Sequence, residues 1–117
     1  RIFPELSDVI GGCGIRVPVP NGSLSDLTLN LKKETSIEEV NQIFKTAASE
    51  EKFKGILSYT EDPIVSIDII NNTHSCVFDA EMTSVIGGKL LKIIGWYDNE
   101  YGYSSRLIDI ISRVNNY

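Results

Sequence analysis

Four places in this chain carry side chains whose type and spacing suggest chemistry. His74 and Cys76 stand two residues apart, so on an extended backbone both side chains leave the same face. A thiolate–imidazole pair able to attack a carbonyl carbon is one arrangement they permit. The other is a buried thiol beside a histidine held by its own hydrogen bonds, and no third group orients the imidazole. Arg16 lies in Ile15-Arg16-Val17-Pro18-Val19-Pro20-Asn21, where Ile15, Val17 and Val19 share one face of an extended segment and Arg16 takes the other. A guanidinium there must find an anion or reach water, and an internal carboxylate or a phosphate ligand would each serve. In Trp96-Tyr97-Asp98-Asn99-Glu100-Tyr101-Gly102-Tyr103, aromatics surround a turn rich in hydrogen-bonding side chains. The Asn99 amide both donates and accepts, which suits a planar carboxamide ligand and equally suits an asparagine turning its own backbone. Gly11-Gly12-Cys13-Gly14 is a plain glycine turn: a proline-bearing segment follows it where a dinucleotide fingerprint requires a helix.

The elements that must position these groups follow from periodicity. Ile15 to Val19 reads as an edge strand, since Pro18 and Pro20 forbid a helix and lack amide donors. Asn21-Gly22 marks a turn, and Leu27, Leu29 and Leu31 alternate with polar residues in a second strand. These two runs are expected to pair as a hairpin. At Ser36 the period changes to helical: Ser36 caps, Glu39 reaches back, and Ile37, Val40, Ile43, Phe44 and Ala47 form a stripe that ends before Gly55. Gly55 to Thr60 and Val65 to Ile69 read as short strands, and Cys76–Ala80 and Met82–Ile86 as extended segments. Gly87-Gly88 supplies a tight turn into Leu90–Ile94, a central strand. Leu107, Ile110, Ile111 and Val114 mark a closing helix, with Asp109 and Arg113 spaced to pair. The fold class expected is α+β, a mainly antiparallel or mixed sheet with helices covering one face.

With 11 basic and 16 acidic side chains the net charge is -5, which disfavours nucleic acid and anionic membrane surfaces as partners. No apolar run reaches the roughly 18–20 residues of a membrane span. The first residues lack the pattern of a signal peptide, so a cytoplasmic location is expected. Two cysteines and one histidine supply no disulfide framework and no four-ligand zinc site. The abrupt apolar start at Ile2-Phe3-Pro4 suggests that a further segment precedes it.

Four ordered runs carry a resemblance. Arg16-Val17-Pro18-Val19-Pro20-Asn21, Lys54 to Asp62, Thr73-His74-Ser75 with Phe78-Asp79-Ala80, and Trp96 to Ser104 resemble the C-terminal part of the phosphorylating glyceraldehyde-3-phosphate dehydrogenase family, over the whole chain. Pro20, Tyr97 and Tyr103 are more similar to the triose enzymes than to erythrose-4-phosphate relatives. The resemblance implies a C-terminal segment (residues 1–117) of a catalytic domain, with the nucleotide-binding domain outside it. It implies a cytoplasmic homotetramer of glycolysis that converts D-glyceraldehyde 3-phosphate, phosphate and NAD to 1,3-bisphosphoglycerate and NADH, with NADP not excluded. Arg16 matches the arginine that binds substrate phosphate, and Asn99 the asparagine that holds the nicotinamide carboxamide. Tyr97 and Tyr103 match aromatics that line this pocket. The nucleophilic cysteine belongs to a Ser-Cys-Thr-Thr-Asn motif that neither Cys13 nor Cys76 has, and His74 matches a Thr-His-Ser motif and not the catalytic base. No catalytic residue of the family therefore falls in this chain, and the segment alone is expected to be inactive. The alternative is a stand-alone, non-catalytic binding module that reuses the fold.

Overall fold

The computed structural model describes residues 3–114, and its sheet is organised by the turn at Gly87-Gly88. Both glycines have positive φ, 57° and 72°, a backbone that glycine adopts without strain in the tight turn of a three-residue hairpin connection. Lys89 N–H closes the turn on the Ile86 carbonyl. The hairpin joins β3 (Cys76–Ile86) to β4 (Leu90–Tyr97). On the other side of β4 lies β1 (Ser23–Asn30), antiparallel from Ser23 opposite Tyr97 to Asn30 opposite Leu90. The short β2 (Leu57–Thr60) pairs parallel with β3. The order β1-β4-β3-β2 makes a mixed sheet with β4 inside it, as its apolar run predicts.

Two expected strands are not strands. Residues 15–19 have no sheet partner: Val19 N–H bonds back to the Val17 carbonyl, and Pro18 and Pro20 have no N–H to give to a ladder. The expected hairpin is thus replaced by the β1–β4 pair. Val65–Ile69 instead closes into a short 3-10 helix, Ser66–Ile69. Its start is fixed by Val65 N–H donating to the Asp68 carboxylate, and such a local side-chain bond competes with strand pairing. The alternation of Val65, Ile67 and Ile69 buries only Ile69.

Helix α1 (Ile37–Ser49) begins as expected, with Ser36 Oγ accepting from Glu39 N–H. The Glu39 side chain reaches back to the Thr35 hydroxyl rather than to the capping residue. Val40 and Phe44 of α1 pack on Phe78, Ala80, Leu91 and Ile93, the inward side chains of β3 and β4. The Phe44 and Phe78 rings stack 3.9 Å apart. Ile43, expected on this stripe, is exposed. Between Asp79 and Ser84 the β3–β4 register breaks. Met82 N–H bonds the Asp79 carboxylate there, and Asn41 of α1 donates to the freed Ala80 carbonyl.

Helix α2 (Tyr101–Val114) docks by its first turns only. Gly102 is buried so closely that a Cβ would lie 2.6 Å from the His74 carbonyl oxygen, and Arg106 donates to the Gly55 carbonyl. Leu107, Ile110, Ile111 and Val114, the expected core stripe, are exposed. Asp109 pairs with Arg106 and not with Arg113. One helix, α1, therefore covers the sheet face.

Phe78 is 2% exposed and central to this core. Phe78→Ala is expected to cost about 3–5 kcal/mol, read as a lower midpoint in urea unfolding. Ser36→Ala, which loses one cap, is expected to cost about 1 kcal/mol.

Candidate functional site

The described residues form an open cleft of about 890 Å³. Its walls come from two distant stretches of sequence: the irregular segment carrying Arg16, Val19 and Pro20, and the end of β4 with Trp96, Tyr97 and Asn99. Ser23 at the start of β1 joins them. Arg16 and Asn99, singled out separately by the sequence, thus line one cleft.

The floor is held from behind. Trp96 Nε1 donates to Asp79 Oδ2 at 2.9 Å, so the buried carboxylate that closes the β3 irregularity also fixes the indole beneath the cleft. Gly22, with φ 88°, lies where a Cβ would be 2.5 Å from the Ser66 carbonyl oxygen. Only glycine lets the segment after Arg16 turn so tightly against the 3-10 helix.

Asp98 is the hub. It is 3% exposed, and its carboxylate accepts four hydrogen bonds. Oδ1 takes Glu100 N–H at 2.9 Å and Tyr101 N–H at 2.8 Å, capping α2. Oδ2 takes Asn71 N–H at 2.9 Å and Asn21 Nδ2 at 3.0 Å. Asn71 has φ 66°, a left-handed backbone that asparagine tolerates, and this turns its amide toward the carboxylate. The same Asn21 accepts from its neighbour Gly22 N–H at 2.7 Å and from Asn99 N–H at 3.5 Å. Ser23 Oγ donates to Asn99 Oδ1.

Arg16 is exposed and has no ion-pair or hydrogen-bond partner among the described residues. Among the described residues no internal carboxylate takes it, and the guanidinium stands unpaired on the cleft wall. Tyr97 lines the cleft. Tyr103 lies on α2, is exposed, and is not part of the lining. His74 and Cys76 do not form a catalytic pair: the imidazole Nδ1 bonds Asn72 Oδ1 at 3.0 Å, and Cys76 Sγ lies against Gly95. Burial pushes the Cys76 thiol up, away from the thiolate a nucleophile requires. Cys13, exposed, lines the cleft in the irregular segment Gly11-Gly12-Cys13-Gly14, where the expected glycine turn does not form. The sequence did not reveal Asp98, Asn21 and Ser23 as the ties of this site. An aspartate just ahead of a helical stripe is a legible cap, but its bonds to Asn21 and Asn71 join residues far apart in the chain.

A mixed four-stranded sheet with two helices, and a cleft that carries a guanidinium and a carboxamide, defines the class as an α+β unit. The sequence model described as "Glyceraldehyde 3-phosphate dehydrogenase, C-terminal domain" matches residues 1–99, and the chain belongs to that family. Curated relatives agree. A glyceraldehyde-3-phosphate dehydrogenase of Streptomyces coelicolor is 50% identical over 115 residues, 98% of this chain and 34% of its own length. One of Mycobacterium avium is 48% identical over 113 residues, covering 97% of this chain and 33% of its own length. One of Borreliella burgdorferi is 46% identical over 114 residues, covering 97% and 34%. The chain spans about a third of the length of these relatives.

The hydrogen bond from Tyr101 N–H, followed by those from Glu100, Asn71 and Asn21, holds the Asp98 carboxyl below the usual aspartate range, against the opposing effect of burial. Because its folded pKa is lowered, the stability it contributes is complete above the ordinary aspartate value and is lost as pH falls through the folded one. Amide exchange at Asn71, Glu100 and Tyr101 should stay slow down to the ordinary aspartate value and accelerate in more acid solution. Asp98→Ala should give the fast exchange already at neutral pH, each buried donor left unpaired costing about 1–3 kcal/mol.

Proposed function

We propose that this chain is the C-terminal part of the catalytic domain of a phosphorylating glyceraldehyde-3-phosphate dehydrogenase, a cytoplasmic glycolytic homotetramer whose nucleotide-binding domain lies outside the residues given. Its reaction converts D-glyceraldehyde 3-phosphate, phosphate and NAD or NADP to 1,3-bisphosphoglycerate and the reduced dinucleotide. The observation that carries this reading is the meeting of Arg16 and Asn99 on one cleft, in a chain about half identical to dehydrogenases of that name. A module freed from catalysis would have no evident need for both groups. The exposed apolar stripe of α2 also suits a segment that packs against more protein.

In this reading Arg16 holds the phosphate of the aldehyde and helps place the attacking inorganic phosphate. Its fork of N–H donors matches phosphate oxygens, and no carboxylate among the described residues competes for it. The bound dinucleotide would supply a hydride acceptor. The residues present fit its carboxamide end: with Oδ1 taken by Ser23, the Asn99 amide N–H groups have no partner among the described residues and are free to donate to a carbonyl oxygen. Tyr97 and Trp96 offer apolar walls beside that amide. The nucleophilic cysteine and its base come from the remainder of the protein. Cys76, half-buried and without a base, takes no part.

In the complete enzyme, Arg16→Ala is expected to lower kcat/KM for glyceraldehyde 3-phosphate by about 2–3 kcal/mol of transition-state stabilisation, the scale of one hydrogen bond to a charged group. Its effect on an aldehyde without phosphate should be much smaller. Asn99→Ala should impair both aldehydes alike and weaken dinucleotide binding, because a nicotinamide free to turn spends less time in the reactive orientation. Equal losses on both aldehydes for Arg16→Ala, in folded protein, would reduce Arg16 to a structural residue. The isolated segment should not generate absorbance of reduced dinucleotide with substrate and phosphate, and steady turnover abolished by Cys76→Ser would overturn the assignment of the nucleophile elsewhere.

A further inference from the structure

Two arms of the cleft are independent in sequence and joined in space by the Asn21–Asp98 pair, beside the Ser23–Asn99 hydrogen bond. The segment that carries Arg16 ends at Asn21, and the turn that carries Asn99 begins at Asp98. Asn21 Nδ2 donates to Asp98 Oδ2 at 3.0 Å, and Asn21 Oδ1 accepts from Asn99 N–H at 3.5 Å. The two residues therefore clasp each other across 77 positions of chain. Each is anchored in turn. Asp98 is tied to α2 through Glu100 and Tyr101 and to the left-handed turn at Asn71. Asn21 is tied to Gly22, whose own close approach to Ser66 fixes the turn after it. Residues 15–19, which carry Arg16, have no strand partner. Their position over the cleft depends on how this end is held.

We propose that Asn21 and Asp98 form a latch that makes the Arg16 arm and the Asn99 arm one rigid unit, so that both are positioning residues for the two ligands of the cleft. This rests on the function proposed above for what those ligands are. Neither residue is required to touch a ligand. Asn21 sets where the guanidinium stands relative to the carboxamide, and hence the separation between a bound phosphate group and the ring held by Asn99. A misplacement of about 1 Å in such a site is enough to cost up to a hundredfold in rate.

The pair lends itself to selective variants. Asp98→Asn keeps an oxygen for the α2 amides but replaces Oδ2, the acceptor for Asn21 and Asn71, with a donor. Asn21→Ala cuts the latch from the other side and leaves the other bonds of Asp98 intact. In the complete enzyme each variant should lower kcat/KM about tenfold or more with respect to both aldehyde phosphate and dinucleotide, unlike Arg16→Ala or Asn99→Ala, whose losses divide by ligand. The double variant should be little worse than the worse single one, as residues acting through one contact are non-additive. The swap Asn21→Asp with Asp98→Asn restores a donor facing an acceptor and should recover part of the loss. Amide exchange gives a reading that does not depend on the ligands: Asn21→Ala should speed exchange at Asn99, Glu100 and Tyr101, distant in sequence. Unchanged exchange there, or additive kinetic losses with no recovery by the swap, would overturn the latch. Faster exchange with an Arg16→Ala enzyme that still distinguishes no aldehyde would uphold the latch and remove only the ligand assignment.

Discussion

The carboxylate of Asp98 is the fixed point on which the rest of the cleft depends. It lies almost without access to water, and it is stable there because donors from four separate residues converge on its two oxygens. A buried anion is costly unless its lone pairs are met, and here that requirement is satisfied only if α2 starts where it does, the Asn71 turn takes its left-handed form, and Asn21 returns from the far side of the chain. A single electrostatic demand thereby dictates the meeting of three segments. Asn99, the next residue, inherits its position from it.

The sheet supplies the rigidity behind that point. Strand β4 is flanked on both sides, so the backbone leading from Leu90 to Tyr97 is pinned by ladders before it delivers Trp96, Tyr97 and Asp98 to the cleft. The core under it is small: Val40 and Phe44 of one helix against Phe78, Ala80, Leu91 and Ile93. A second buried carboxylate, Asp79, both closes the irregularity in β3 and holds the Trp96 indole. Polar groups inside this unit thus serve geometry at the cleft end, while apolar packing serves stability at the α1 face.

Much apolar surface is left outside that core. Leu24 and Leu27 of β1, Ile86 of β3, and Ile108 and Ile111 of α2 are all exposed. An amphipathic helix ordinarily buries its apolar stripe, and α2 is held by polar contacts at its first turns instead. The chain spans about a third of the length of its relatives, and in the dehydrogenase proposed above further protein would cover surfaces of this kind.

Local chemistry alone sufficed for several elements of this protein. The Ser36 cap and the α1 stripe, the Gly87-Gly88 turn, the central place of β4, and the existence of α2 were all legible, because each depends on residues within a few positions of one another; the start of α2 at Tyr101, ahead of the stripe and including Gly102, was not. So were Arg16 and Asn99 as candidates, since a guanidinium in an apolar segment and a carboxamide among aromatics are conspicuous by type. Other features depended on distant partners. Alternation at residues 15–19 and 65–69 promised strands, but a strand exists only if a neighbour accepts its ladder. Prolines in one case and the Asp68 side chain in the other removed that possibility. The stripe on α2 predicted the helix correctly and its burial wrongly, because periodicity reports which face is apolar and not what lies against it. That Asp98 and Asn21 meet, and that Arg16 and Asn99 therefore share a cleft, was decided only in three dimensions. The bonds that join them link residues about 77 positions apart, and no local pattern specifies such a pair.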